Sequence, residues 1–303
     1  YFLGVGGGLV KNDGGYFFST QDNYSGEISS SNMKYIGTSG EGGIVWNAEG
    51  SSGLIRFSSK FDTYRNVDHV LTAPESHVQS VRLIGATITG GKGWAIEWKR
   101  SYDTTIMDCT IEHRQHGIRN TGNAGNPDNN TIRIINNVIE GLSGKGMELG
   151  SSFGVTILGN YMEQNNEGYF DFSLSENYHN GLTLIGNTVQ MSEEQKNNNV
   201  PGYKIGKMAD GVLSQANVSM GLLFQTIDAG TAGRVISMGD KSYTNNIEYP
   251  LENKLVREMG RSRSTENSIT NGSIEIYNKS EGNIYFPPNE EKVISIDFSD
   301  ITE

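Results

Sequence analysis

Five nine-residue segments of this chain align without internal gaps: VRLIGATIT (81–89), TTIMDCTIE (104–112), IRIINNVIE (132–140), VTILGNYME (155–163) and LTLIGNTVQ (182–190). Their starts lie 23, 28, 23 and 27 residues apart. The first column (Val81, Thr104, Ile132, Val155, Leu182) and the third (Leu83, Ile106, Ile134, Ile157, Leu184) are mainly apolar. Apolar residues at a spacing of two mark a strand with one buried face. The sixth column runs Ala86, Cys109, Asn137, Asn160, Asn187, and the eighth returns to Ile88, Ile111, Ile139, Met162 and Val189. An Asn recurring at one corner predicts a stacked turn residue whose side chain bonds the backbone of its own turn and the next Asn above. A unit of this length, holding strands and no helix, cannot bury its apolar face alone. Units must therefore stack, at about 4.8 Å per coil.

Each unit carries a further strand: WAIEW (94–98), HGIRN (116–120), KGMEL (145–149), GYFDF (168–172) and, more weakly, GYKIG (202–206). Ile96, Ile118, Met147, Phe170 and Ile205 align there as inward residues, and Trp98 shares their face. The expected fold is all-β: a right-handed single-stranded parallel β-helix, its hand favoured by long coils with variable loops over strict hexapeptide repeats. The expected organisation is a lead-in over 1–32, the β-helix core over 33–210, and further coils or an irregular or β-sheet C-terminal part over 211–303. MKYIGTSGEGGIVW (33–46) reads as an earlier coil, while RVISMG (234–239), SIEIYN (273–278) and NIYFPP (283–288) read as strands outside the clear register. The opening YFLGVGGG has no initiator Met and no charged leader, so the chain reads as a fragment of a longer protein.

Composition narrows the partners. The formal net charge of −11 repels phosphate backbones, so nucleic acid is not expected. It also disfavours a strongly anionic glycan unless a local basic patch overrides the field. The single Cys, Cys109, excludes an intrachain disulfide framework and a Cys-based zinc site, and its column makes it a buried, inert thiol. No apolar run reaches the length of a membrane span. No metal and no cofactor are expected.

Register tells which residues face outward. The ninth column is Thr89, Glu112, Glu140, Glu163, Gln190, and the residue after the inward position of the other strand is Glu97, Arg119, Glu148, Asp171. Read side by side, these rows make Glu140, Glu148, Glu163 and Asp171 a block of carboxylates on two coils. Crowding should raise at least one pKa, giving a proton donor beside an ionised partner, the pair that glycoside hydrolysis uses. These four are the catalytic candidates, with a solvated surface row as the plain alternative. In IEHRQHGIRN (111–120), Glu112, His113, Arg114, His116 and Arg119 are candidate substrate contacts: His as base, Arg against a uronate. A surface ion pair between Glu112 and Arg119 is the competing reading. Tyr161 and Tyr169 could stack sugar rings, and His179 could reach substrate from the loop at 173–180.

The coil length, the IxxNxI corner (134–139 and its equivalents) and the Gly117–Ile118 and Gly146–Met147 second strand resemble the right-handed parallel β-helix family. That family includes pectate-lyase-like enzymes and bacteriophage tailspikes, and ILGNYMEQN (157–165) is most similar to coils of tailspike depolymerases. The resemblance implies a homotrimer acting from a virion tail on a bacterial capsule or O-antigen polysaccharide. Hydrolase members use carboxylate pairs, and lyase members use basic, His or Tyr residues. NDGGYF (12–17) only faintly echoes the acidic tailspike opening, which keeps a secreted bacterial protein as the alternative. The leading expectation is a glycoside hydrolase. The others are a lyase centred on His113, Arg114, His116 and Arg119, and a non-catalytic glycan-binding fibre.

Overall fold

The computed structural model describes residues 26–37, 43–48, 55–122, 129–173, 179–198, 200–206, 209–226, 235–238, 240–244 and 247–249, with strand segments 2–5, 9–12, 16–19, 275–278 and 282–285. The chain forms two compact units, Tyr1–Leu251 and Glu252–Glu303. In the second, the described residues form an antiparallel hairpin, Glu275–Asn278 with Gly282–Tyr285. The first is a parallel β-solenoid.

Each coil has three faces. The first is built from strands such as His116–Asn120, Lys145–Leu149 and Gly168–Phe172. The second contains Asn129–Ile135, Ser152–Leu158 and His179–Ile185. Both belong to one 18-stranded sheet, because His69–Ile84 and Trp94–Met107 run through the bend and contribute to both faces. The third face holds Thr110–Glu112, Val138–Glu140, Tyr161–Glu163 and Thr188–Gln190, in an 11-stranded sheet. The expected third and eighth columns are rows of paired neighbours: Ile106↔Ile134, Ile134↔Ile157, Ile157↔Leu184 on the second face, and Ile111↔Ile139, Ile139↔Met162, Met162↔Val189 on the third. On the first face the expected column holds through Ile96↔Ile118↔Met147↔Phe170, but Phe170 then pairs with Tyr203, and Ile205 with Phe172, two residues from the expected register. All of these side chains are fully buried. Trp98 also lies inside, its Nε1 donating to Ser101 Oγ at 3.1 Å.

The corner between the second and third faces explains the repeat. The residue before it, the fifth column, has a left-handed backbone in every coil: Gly85, Asp108, Asn136, Gly159 and Gly186, with φ from 52° to 64°. Gly, Asn and Asp recur there because they tolerate this conformation. The next residue is the buried Asn. Each Nδ2 donates at 2.9 Å to the Oδ1 above it, in the order Asn137, Asn160, Asn187, Asn217. Each also donates to a carbonyl of the coil below, as Asn160 does to Ile134 at 2.9 Å. The same Oδ1 accepts the backbone N–H of the Asn beneath. Cys109, at the lower end, is buried, and its thiol is pushed up to about 12 by burial, as befits an inert core residue.

Beyond 210 the parallel register runs on: Val212–Gln215 pairs with Val235–Met238, Val218–Ser219 with Lys241–Thr244. The polar ladder runs on with it, through Asn217 to Asp240 Oδ1 at 3.0 Å. Val212 is inward and buried here, but the inward positions also include Ser214, Ser219 and Ser242, all buried. Serine in place of Ile or Val hides these coils from an apolar-periodicity reading.

Candidate functional site

The two outward rows have the expected register. Glu112↔Glu140↔Glu163↔Gln190 runs along the third face, and Glu97↔Arg119↔Glu148↔Asp171↔Lys204 along the first. They do not form one block. The chain turns between them at 141–144, where Leu142 is buried, so Glu140 and Glu163 stand on a different face from Glu148 and Asp171. Strand alternation fixes inside against outside, but it does not say how far apart two outward directions point once a corner intervenes.

On the third face Tyr161 is outward, as expected. Its hydroxyl reaches Glu163 Oε2 at 2.6 Å and Gln190 Oε1 at 2.9 Å. Burial and then the Glu163 carboxylate push its phenol up to about 12.

The first face is different in kind. Glu97, Glu148 and Asp171 lie on the outer surface, yet are only 8%, 4% and 8% exposed. Arg119 meets two of them, with Nη1 3.2 Å from Glu97 Oε1 and Nε 2.9 Å from Glu148 Oε1. Lys145 Nζ bonds Glu148 Oε2 and lies 3.0 Å from Asp171 Oδ2. The result is a continuous ionic row across four coils, crossed by a second column, Trp94↔His116, one strand-turn before it. Trp94 stacks on His116 at 4.6 Å, and the Arg119 guanidinium lies 5.5 Å from its ring centre. Glu112 takes no part: the carboxylates of Arg119 are Glu97 and Glu148.

The charges are unequal in their protonation. Burial raises the Glu97 pKa, outweighing the Arg119 charge that opposes it. Asp171 moves the other way. Burial pushes it up, but the Ser173 hydroxyl and amide and the Lys145 ammonium outweigh that and hold it low. A raised carboxyl is thus found at Glu97, outside the expected four, and desolvation is the main cause. Burial also lowers the His116 pKa, favouring the neutral ring. Its Nδ1 accepts the Lys145 backbone N–H at 3.0 Å, so the neutral ring carries its proton on Nε2.

Three expected substrate contacts are interior residues. Arg114 is 4% exposed and donates to the backbone carbonyls of His116 (2.9 Å) and Asp68 (2.6 Å), with those of Val67, Lys92 and Gly93 at 3.4 Å. It ties three coils together at a turn, and burial lowers its pKa to about 9. Tyr169 is 1% exposed, its hydroxyl donating to Gln195 Oε1 at 2.7 Å beneath the short helix Glu193–Asn197. His179 is fully buried at the corner between the first and second faces, where Asn129, Ser152 and His179 share a column and its Nδ1 lies 3.0 Å from Ser152 Oγ. His113 is exposed with φ 50°, lining the turn with Gln115 and Ser143.

Of the expected site residues, the first face therefore unites His116, Arg119, Glu148 and Asp171. It adds Glu97, Lys145 and Trp94. All three were accessible to register, since Glu97 is in the Arg119 row and Trp94 and Lys145 flank His116 in its column. Among the described residues, no cluster of three or more His, Cys, Asp or Glu is placed to hold a metal ion, and no helix is long and apolar enough to cross a membrane.

Neither a protein-family model nor a curated protein matches the sequence. Among solved structures, the chain is similar to the mannuronan C-5 epimerase AlgE6 A-module of Azotobacter vinelandii, at 12% identity and a TM-score of 0.34, over 77% of this chain and 80% of that one.

Proposed function

We propose that the chain hydrolyses a polysaccharide bound across the first face, with Glu97 as proton donor and Glu148 as its carboxylate partner. The observation behind this reading is the single guanidinium of Arg119 gripping both carboxylates, one of them raised by burial. Charges withdrawn from water on an outer surface cost stability and cluster at working sites. Glu97 and Glu148 sit two coils apart, about 9.6 Å along the axis, and lean toward one another through Arg119. That span suits the roughly 6.5–9.5 Å of an inverting pair better than the ~5 Å of a retaining one. Glu97 would protonate the glycosidic oxygen as its bond to the anomeric carbon breaks, while Glu148 takes a proton from the attacking water. Trp94, itself buried, backs the row by stacking on His116. Lys145 and Asp171 hold the row in place.

Elimination is the second reading, favoured by two cations and a neutral His in the same row. It asks His116 to accept a proton, but Nδ1 is already occupied and Nε2 bears hydrogen, so His116 serves better as a donor to substrate. Incubation with capsular and O-antigen polysaccharides separates the cases. New reducing ends without unsaturated-uronate absorbance support hydrolysis; with that absorbance, elimination; binding without cleavage leaves a fibre. The polymer proposed is a bacterial surface glycan and the assembly a homotrimeric tailspike, on the strength of the 157–165 resemblance. A sedimentation mass of one chain would remove the trimer.

A further inference from the structure

In the first-face row Arg119 and Lys145 are each held by two carboxylates, and Lys204 stands beside Asp171, so its cations are matched by acids. On the second face the cations outnumber the acids. In Ile55–Lys60, Phe57 and Ser59 point inward and are buried, while Arg56, Ser58 and Lys60 face out. The next coil adds Ser80 and Arg82, paired with Arg56 and Ser58. Together they line a groove of about 540 Å³. Arg56 bonds the neutral Oε1 of Gln79 at 3.0 Å, so that hydrogen bond does not neutralise its charge. Asp103, at one wall, is shared between Arg82 at 3.1 Å and Arg133 at 3.0 Å, and Glu27 lines the groove as the register neighbour of Arg56. Tyr102, 51% exposed, forms the remaining wall, braced edge-on by His77 at 4.6 Å.

Arg56 and Lys60 on one coil, Arg82 on the next and Arg133 two coils beyond it outnumber the acids Glu27 and Asp103 by four to two, a positive strip on a chain of net charge −11. The strip runs along the axis, over coils about 4.8 Å apart, which suits a linear polyanion lying along it. A flat aromatic wall with hydroxyl and amide neighbours suits sugar rings carrying carboxylates better than bare phosphate. We infer that this groove is a second, non-catalytic binding site for an acidic, uronate-bearing polysaccharide, separate from the ionic row of the first face. Only the choice of a glycan as ligand rests on the hydrolase reading; the charge and the groove do not.

The test is calorimetric binding of a galacturonate hexamer, with maltohexaose and a single-stranded oligothymidylate as comparison probes. The expected result is measurable hexamer binding that weakens with salt, no maltohexaose binding, and weaker oligothymidylate binding. The double variant Arg56→Glu/Lys60→Glu should lose at least tenfold in affinity, and Tyr102→Ala a smaller factor. Glu97→Gln should bind like the unaltered chain, which separates this site from the first face whatever the fate of the hydrolase reading. Should the charge reversal perturb the circular dichroism spectrum, Arg56→Gln/Lys60→Gln replaces it. Hexamer affinity unchanged in the charge variants, no hexamer binding, or tighter binding of the oligothymidylate would overturn the proposal.

Discussion

Arg119 stands between Glu97 and Glu148, 3.2 Å from one carboxylate and 2.9 Å from the other, on three successive coils of one face. Replacing either carboxylate tests whether this grip serves chemistry. Glu97→Gln and Glu148→Gln should each lower the cleavage rate by a hundredfold or more, the usual scale for a lost acid or base of about 10²–10⁴. Glu140→Gln and Glu163→Gln, on the third face, should stay within about twofold. Equal losses on both faces would refute the assignment.

The raised Glu97 pKa has a sign in the rate profile. A donor must be protonated, so activity should fall as pH rises through the pKa of Glu97, and burial moves that limb above the ordinary Glu range. Initial rates against pH should show a descending limb that Arg119→Met shifts upward, because Arg119 is the next largest influence and opposes the shift. A limb that Arg119→Met leaves in place would assign it to another group.

His179 should make the fold acid-sensitive. Burial lowers its pKa from 6.5 to about 4, so the folded chain holds the neutral ring where an unfolded chain would take up a proton. Stability from this group is intact above the ordinary pKa and drains away as pH falls from 6.5 toward 4, by roughly 3 kcal/mol in all. Asn occupies the same column at Asn129. His179→Asn should therefore flatten the denaturant midpoint between pH 6.5 and 4, and a midpoint as steep as before would count against this account.

Asn160 accepts and donates within the corner ladder and contacts both neighbouring coils. Asn160→Ala strands buried partners on each side, at about 1–3 kcal/mol per unsatisfied group. Chemical denaturation should show a loss of at least 2 kcal/mol, whereas Asn136→Gly, at the exposed left-handed position beside it, should cost almost nothing.

Arg114 separates structure from substrate binding. Arg114→Ala should destabilise by about 3 kcal/mol through the backbone carbonyls it leaves unpaired. At a temperature where the variant is folded, KM should match that of the unaltered chain; a KM raised tenfold would return Arg114 to the site.

Periodicity made the solenoid legible because burial repeats with the coil. Ile134, Ile157 and Leu184 must face inward wherever a strand has one wet side, and Asn at the corner must find partners in the next coil. The same argument placed Glu112, Arg119, Glu148, Tyr161 and Asp171 on outward columns. It left open whether coils continue after 210, because Ser214, Ser219 and Ser242 fill inward positions without an apolar signature.

What the linear order determined is therefore the stacking repeat, its corner and the register of each row. Tertiary structure alone decided which outward rows share a face. Local patterning says inside or outside, but the turn at 141–144 aims the Glu140 and Glu148 rows in different directions. It alone decided burial, too: Arg114, Tyr169 and His179 are polar residues near bends, and only three-dimensional packing supplied the carbonyls, the Gln195 amide and the Ser152 hydroxyl that make an interior place tolerable for them.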